Sequence, residues 1–280
     1  MSVARPTVVV MTSIAERRAA FRALHEQGCF LLPNPWDRGS ARYLESLGFA
    51  ALATTSSGAA WSRGRPDGSA TRDEALDHLA DIVAATGLPV NADFENGYAE
   101  TADDVATSVA LAVETGVAGL SVEDAAGGEL YDLDVAVERL AAAREAIDAS
   151  GHDVLLVGRA EGFIAGRPDL ADVLDRLRAY AAAGADCLYA PGVSAPADVA
   201  AVVAAVAPKP VNLLVGGPSP RTLAEIAGLG VRRVSVGGAL ARAAWGGLGR
   251  AAAGLVEGRF DGFDGAVPGP DLDALFGTLR

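Results

Sequence analysis

Leu88-Pro-Val-Asn-Ala-Asp-Phe-Glu-Asn-Gly-Tyr98 reads as a short strand, Val90 to Ala92, that ends in two carboxylates, Asp93 and Glu95. Strand alternation sets Asp93 and Glu95 on one side and Phe94 on the other. Asn96-Gly97 then turns the chain away. The next apolar run, Ala118-Gly-Leu-Ser-Val122, finishes the same way, in Glu123-Asp124. Acids at strand ends often cap the following helix. Two neighbouring strands ending in acids at matched positions instead focus negative charge. A hard divalent cation such as Mg²⁺ satisfies that focus with oxygen ligands and retained waters.

The same unit, an apolar run followed by a helical pattern, recurs from end to end. Strands are predicted at Cys29–Leu32, Ala50–Thr54, Pro89–Asp93, Ala118–Val122, Asp153–Gly158, Ala185–Tyr189, Pro210–Val215 and Val231–Val236. A helix over Ala15–Gln27 precedes the first strand, and a helical pattern follows every strand. Thr71-Arg-Asp-Glu74, a capping-box pattern, opens one of these after a long loop, Thr55 to Ala70. Continuous apolar runs are what strands buried on both faces require. Eight such units closing on themselves predict an α/β chain folded as a (β/α)₈ barrel. The expectation is one domain over residues 1–280, with a C-terminal helical extension near Asp271 to Leu279. An open doubly wound sheet is the alternative, but its Gly-x-Gly-x-x-Gly after the first strand is replaced by Pro33-Asn-Pro35.

Half of the 280 residues are hydrophobic, enough for one large core. The net charge of −13 argues against nucleic acid and anionic membrane surfaces as partners. No uncharged apolar run reaches the ~18 residues of a membrane span, and Val8-Val-Val-Met11 is too short for a secretory signal, so the chain is read as cytoplasmic. Cys29 and Cys187 lie in apolar runs and suggest no disulfide framework or zinc site. Lys209, the only lysine, sits between two prolines, a poor setting for Schiff-base chemistry.

In a barrel the site lies at the C-terminal strand ends. Read in order, those ends give Asn34 and Asp37; Thr54 to Gly58 and then Asp67; Asp93 and Glu95; Glu123 and Asp124; Arg159 and Glu161; Tyr189; Asn212; and Ser235. Arg159 can clamp a substrate carboxylate with its two-pronged guanidinium, or can form a salt bridge to Glu161 or Glu123. Backbone N–H groups of Ser56-Ser57-Gly58 can hold a second anionic group. Asn212 reads as a substrate ligand or a helix cap, and Tyr189 as a wall or a donor. His25, His78 and His152 fall away from the strand ends and are read as surface residues.

With these motifs in place, the chain resembles the phosphoenolpyruvate mutase/isocitrate lyase superfamily, in particular a carboxyvinyl-carboxyphosphonate phosphorylmutase-like member. The likeness rests on Leu31-Leu-Pro-Asn-Pro-Trp-Asp37, Ser40-Ala-Arg42, Gly48-Phe-Ala-Ala51, Gly64-Arg-Pro-Asp67, Leu88 to Asp93 with Gly97-Tyr98, Gly119-Leu-Ser-Val-Glu-Asp124, Gly158-Arg159 and Val211-Asn212. It implies a (β/α)₈ barrel, a homodimer or homotetramer with the last helix often exchanged between subunits, and Mg²⁺ as cofactor, with Mn²⁺ as a substitute. Asp93, Glu95 and Glu123 would be the metal residues. Asp67, Arg159 and Glu123 would be catalytic. Ser56, Ser57, Gly58, Arg159 and Asn212 would bind a small carboxylate substrate.

One segment departs from the family. Its lyases carry a Lys-Lys-Cys-Gly-His motif after the fourth strand, and its mutases a loop with lysine and asparagine. Here the segment is Ala125-Ala-Gly-Gly-Glu-Leu-Tyr131. A reaction needing only stabilisation of an enolate asks least of such a loop. The leading expectation is therefore a Mg²⁺-dependent lyase that cleaves a C–C bond of a small 2-oxo or 2-hydroxy acid. A P–C bond mutase or hydrolase acting on phosphonopyruvate-like substrates, and a 2-oxo-acid-binding barrel without turnover, are the alternatives.

Overall fold

The computed structural model describes residues 13–278; the run Val8–Met11 and the end of the helix drawn to Leu279 lie outside them. The barrel strands are β1 (Phe30–Leu32), β2 (Leu52–Ala53), β3 (Val90–Asp93), β4 (Gly119–Glu123), β7 (Leu155–Arg159), β8 (Cys187–Tyr189), β9 (Val211–Leu214) and β10 (Arg233–Ser235), with a small hairpin of β5 (Ala125–Ala126) and β6 (Glu129–Leu130) after β4. All barrel neighbours run parallel in one eight-stranded sheet, ordered β1-β10-β9-β8-β7-β4-β3-β2. The two ends of that order meet where the Ala53 N–H donates to Pro33 O at 3.0 Å. The predicted (β/α)₈ barrel is the observed fold, with each predicted strand placed within two residues at each end.

Helices α1 (Ile14–Leu24), α2 (Arg38–Ser46), α3 (Ser56–Ser62), α4 (Arg72–Ala85), α5 (Ala102–Glu114), α6 (Leu133–Ala149), α7 (Leu170–Ala182), α8 (Pro196–Val206), α9 (Leu223–Ala227), α10 (Ala239–Val256) and α11 (Gly269–Thr278) accompany the strands. Many start where a hydroxyl or carboxylate can accept from the N3 amide. Thr71 and Glu74 complete their capping box at α4, and Asp37 and Ser40 complete another at α2. Asp37 is thus a helix cap, and the loop expected from Thr55 to Ala70 opens with a helix. Thr55 caps α3, a run of small residues with no apolar period to announce it. The Gly-rich segment after β4 folds as the β5–β6 hairpin, with Gly127 and Gly128 both at positive φ at its tip, where glycine carries no steric cost.

Most of the core lies between the sheet and the helices, where Leu120, Leu156, Leu188, Val109, Ala143 and Leu177 are buried together. A second, smaller cluster fills the barrel's lower interior: Phe21 from α1 packs against Leu32, Ala51, Ala53, Ala118 and Leu155. Helix α1 is tied there by Arg18, whose Nε and Nη2 donate to Val117 O and Val113 O at 3.0 and 2.7 Å. His25, which ends α1, is not a surface residue. It is 8% exposed, its Nδ1 lies 2.8 Å from Phe21 O and its Nε2 lies 3.4 Å from Arg233 Nη1. A carbonyl only accepts, so the proton is on Nδ1 and Nε2 receives the arginine. Burial and the adjacent Arg233 charge push the His25 pKa down to about 3.

Candidate functional site

The parallel strands all deliver their C-terminal residues to one rim, and period-two alternation decides which side chains turn inward. On β3, Asn91 and Asp93 share the inner face, with Phe94 fully buried on the other side. On β4, Ser121 and Glu123 turn inward, and on β7, Arg159. Asp124, one residue beyond Glu123, therefore points the other way. Its carboxylate accepts from Glu161 N at 2.7 Å, Tyr180 OH at 2.5 Å and Arg176 Nη1 at 3.1 Å. That buried anchor pins the loop after β7 to α7, outside the mouth.

Inside the mouth, Arg159 is the hub. Its Nη1 lies 2.7 Å from Asp93 Oδ1 and 2.7 Å from Glu123 Oε1, and its Nε donates to Glu161 Oε1 at 2.8 Å. The Tyr189 ring backs the guanidinium, 4.9 Å from ring centre to Cζ. Burial opposes the Arg159 charge, but Glu123, Glu161 and Asp93 outweigh it and hold the group protonated. The salt-bridge reading of Arg159 is the geometry seen, with ion pairs to both Glu161 and Glu123, and the same side chain lines the cavity.

The other side of Asp93 is held by α3. Oδ2 accepts from Ser56 N at 2.9 Å and from Ser56 Oγ at 3.0 Å. Ser56 Oγ also reaches Asp67 Oδ1 at 3.3 Å, which brings Asp67 to the same corner. Of the expected Ser56-Ser57-Gly58 cradle, Ser56 and Ser57 line the cavity. The Gly58 N–H is turned to the Thr55 hydroxyl, and a Cβ on Gly58 would stand 2.7 Å from Thr55 Cγ2 and 2.9 Å from Trp36 Cβ. Glycine at 58 thus serves close packing. Asn212 is 2% exposed one layer below, donating to Ser235 Oγ at 2.9 Å and accepting from Arg233 Nε at 2.9 Å. It is neither exposed at the rim nor a cap.

The mouth encloses about 270 Å³, lined by Asp67, Asp93, Glu123, Arg159, Glu161 and Tyr189 among others. A second compartment of about 530 Å³ adjoins it, sharing Ser56, Asp67 and Glu123 and bounded by the hairpin loop Ala125 to Gly128. Glu95 faces this second space. It sits in the left-handed region at φ 42°, so the turn begins one residue before Asn96-Gly97, and its Oε1 accepts from Tyr98 OH at 2.9 Å. The three acids of the expected metal set are therefore spread around two connected compartments, with Glu123 on the shared wall.

Charge is unbalanced here. Burial first, and then neighbouring acids, raise the pKa values of Glu123 and Glu161 against the pull of Arg159. Burial and Asp93 raise Asp67. Burial pushes Glu95 up to about 7, opposed by the Tyr98 hydrogen bond. Among the described residues no three His, Cys, Asp or Glu side chains converge closely enough to hold a metal unaided. An all-oxygen set with excess negative charge nevertheless fits Mg²⁺, which binds through one or two carboxylates and keeps most of its waters.

Residues 21–256 match the family described as phosphoenolpyruvate phosphomutase. The chain belongs to that family. A provisionally named lyase/mutase from Burkholderia cenocepacia J2315 is 49% identical, with a TM-score of 0.92 over 94% of this chain and 97% of that one. An oxaloacetate decarboxylase from Rhodopseudomonas palustris (strain BisB18) is 32% identical over 72% of this chain and 72% of its own. A structure of oxaloacetate acetylhydrolase in complex with the product oxalate is 28% identical, with a TM-score of 0.84 over 95% of this chain and 94% of that one. Proteins similar to this chain thus include two named for cleaving oxaloacetate, and the fold here superimposes on one of them along nearly its whole length.

Two residues at this mouth carry more than their sequence positions suggested. Glu161 is 5% exposed and bonded to Arg159, a full member of the acid cluster. Arg233, on the cavity floor, lies below the strand ends and so outside a reading confined to them. Val231-Arg-Arg-Val-Ser-Val236 does carry the signal, since Arg233 shares the parity of Ser235 and so points the same way.

Proposed function

We propose that this protein is a Mg²⁺-dependent carbon–carbon lyase acting on a small 2-oxo or 2-hydroxy carboxylic acid. The observation that carries this reading is Arg159, buried between Asp93, Glu123 and Glu161 on the wall of a cavity of about 270 Å³. That volume lies just below the usual range for drug-sized ligands. The names of two relatives, an oxaloacetate decarboxylase and an oxaloacetate acetylhydrolase, support the same chemistry.

Asp93, with Glu95 and Glu123 acting through water, would hold the ion; Mn²⁺ would substitute. When bound, it supplies positive charge where negative charge develops on the substrate carbonyl as the C–C bond breaks. Arg159 exchanges a carboxylate partner for the substrate carboxylate and fixes its orientation. Tyr189 keeps the guanidinium face dry. Ser56 and Ser57 offer hydroxyls at the opposite corner, and Gly58 sets their position by letting α3 sit against Trp36. Asp67 and Glu123, both shifted towards protonation, are placed to hold or return a proton at the cleaved carbon. Asn212 serves the substrate through Ser235 and Arg233.

Exposed apolar side chains along α10 and just after it, Trp245, Leu248, Val256 and Phe260, support a homodimer or homotetramer in which the C-terminal helical segment is exchanged. No helix among the described residues is long and apolar enough to cross a membrane; a cytoplasmic location is part of the proposal.

The test is product release from a panel of oxaloacetate and malate-type acids, with phosphonopyruvate alongside. Pyruvate or an equivalent oxo acid should form with Mg²⁺ and stop with EDTA. Phosphate release from phosphonopyruvate alone would instead favour P–C chemistry, and turnover indifferent to EDTA would refute the metal's role.

A further inference from the structure

Arg139 lies on α6 and is 2% exposed. Its Nη1 donates to Glu100 O at 2.6 Å, and its Nη2 to Asn96 O and Ala99 O at 2.7 and 2.8 Å. All three acceptors are main-chain carbonyls of the loop after β3, and none is a carboxylate. The Tyr131 ring covers the guanidinium, 4.4 Å from ring centre to Cζ. Tyr131 Oη accepts from Asn96 Nδ2 at 2.9 Å. A buried cation without a counter-charge is costly, and a hydrophobic side chain of similar volume often serves stability as well or better. What the guanidinium adds is the shape of one loop.

That loop is strained. Glu95 and Tyr98, at φ 42° and 52°, are the only residues other than glycine at positive φ among the described residues. Left-handed backbone at such positions persists only where the surroundings over-determine it. Asn96 supplies the link. Its main-chain oxygen takes Arg139, its Nδ2 goes to Tyr131, and its Oδ1 accepts from Tyr98 N at 3.1 Å. Tyr98 Oη donates to Glu95 Oε1 at 2.9 Å, and Glu95 O accepts from Glu123 N at 2.8 Å. Glu95 is thereby set on the wall of the compartment of about 530 Å³, which Asp67 and Glu123 also line.

We propose that Arg139, covered by Tyr131, is a positioning residue for the divalent cation: through the turn at 96–98 it keeps Glu95 directed at the metal compartment, while touching neither ion nor substrate. This rests on the reading of Glu95 as one of the metal residues. Groups that orient a metal's ligands from behind change metal affinity by about 10- to 100-fold when they are lost.

Electron paramagnetic resonance of Mn²⁺ added to the full chain without substrate, at a temperature where each variant is fully folded, tests the proposal. Arg139→Met should weaken Mn²⁺ binding by about tenfold or more. Tyr131→Phe keeps the ring over the guanidinium but frees Asn96; it should weaken binding by about threefold or more, and it decides the matter if Arg139→Met does not fold. In a Glu95→Gln background either change should cost less than about a further twofold, since residues acting through one group are not additive. Mn²⁺ affinity unmoved by both variants, or lowered as much in the Glu95→Gln background, overturns the proposal and leaves the metal reading standing. A wild type that binds no Mn²⁺ overturns both. The expected losses of affinity in a protein that turns over no acid would support the proposal and refute the lyase reading alone.

Discussion

Nη1 of Arg159 stands 2.7 Å from Oδ1 of Asp93, and this contact ties β7 to β3 across the strand between them. The same nitrogen meets Glu123 on that middle strand, so three staves share one positive charge. Stability and binding are coupled at this point, because whatever draws Arg159 towards a ligand also releases carboxylates.

Arg159→Met should therefore destabilise the metal-free protein by roughly 3–5 kcal/mol at pH 8, the usual cost of stripping the partner from buried ions. Glu123 and Glu161 already have raised pKa values and will rise further without the guanidinium. A raised carboxyl contributes stability below its unfolded pKa and loses it as pH climbs through the folded value. Urea denaturation should show a smaller deficit at pH 5 than at pH 8. An equal deficit at both would mean that packing, not charge, holds this residue.

Gly58→Ala should destabilise the fold by about 1–3 kcal/mol, as overpacking does, because the new methyl would meet Thr55 and Trp36 within 3 Å. Any relief must come from a shift of α3, which carries Ser56 away from Asp93. Loss of turnover beyond the loss of stability, seen in kcat at a temperature where the variant is fully folded, would show that displacement. Unaltered kcat would show that α3 yields without moving Ser56.

His25 gives the clearest pH signature. Its pKa is about 3 in the fold against 6.5 as a free side chain. A depressed value means that stability is complete above pH 6.5 and falls as the unfolded chain takes up a proton that the native one refuses. Between pH 6.5 and 4 the wild type should lose stability more steeply than His25→Gln, whose amide can still accept from Arg233. Parallel curves would place His25 in water.

How much of this was legible differs by residue. Most of the eight strands announced themselves as apolar runs flanked by glycine, proline or acids, and alternation carried Asp93 and Glu123 to the inner rim. The same rule, applied one residue further, would have turned Asp124 outward, where it meets Tyr180 and Arg176. Helix α3 was illegible by pattern, since Ser-Ser-Gly-Ala-Ala-Trp-Ser is short and weakly apolar, and its N-cap Thr55 looked like one loop residue among several. His25 and Arg233 stand 208 residues apart and meet only because α1 closes the lower end of the barrel. No local spacing reports such a contact.

The central claim is that Asp93 couples a divalent cation to C–C cleavage at this mouth, and comparing wild type with Asp93→Asn measures it most directly. Oxo-acid release from a diacid substrate should proceed in wild type with Mg²⁺, stop with EDTA and return when Mg²⁺ is restored. With Mg²⁺ present, Asp93→Asn should fall at least ~100-fold below wild type, comparable to losing one key electrostatic group, while melting within a few degrees of wild type. A folded Asp93→Asn protein that cleaves at the wild-type rate would contradict the account.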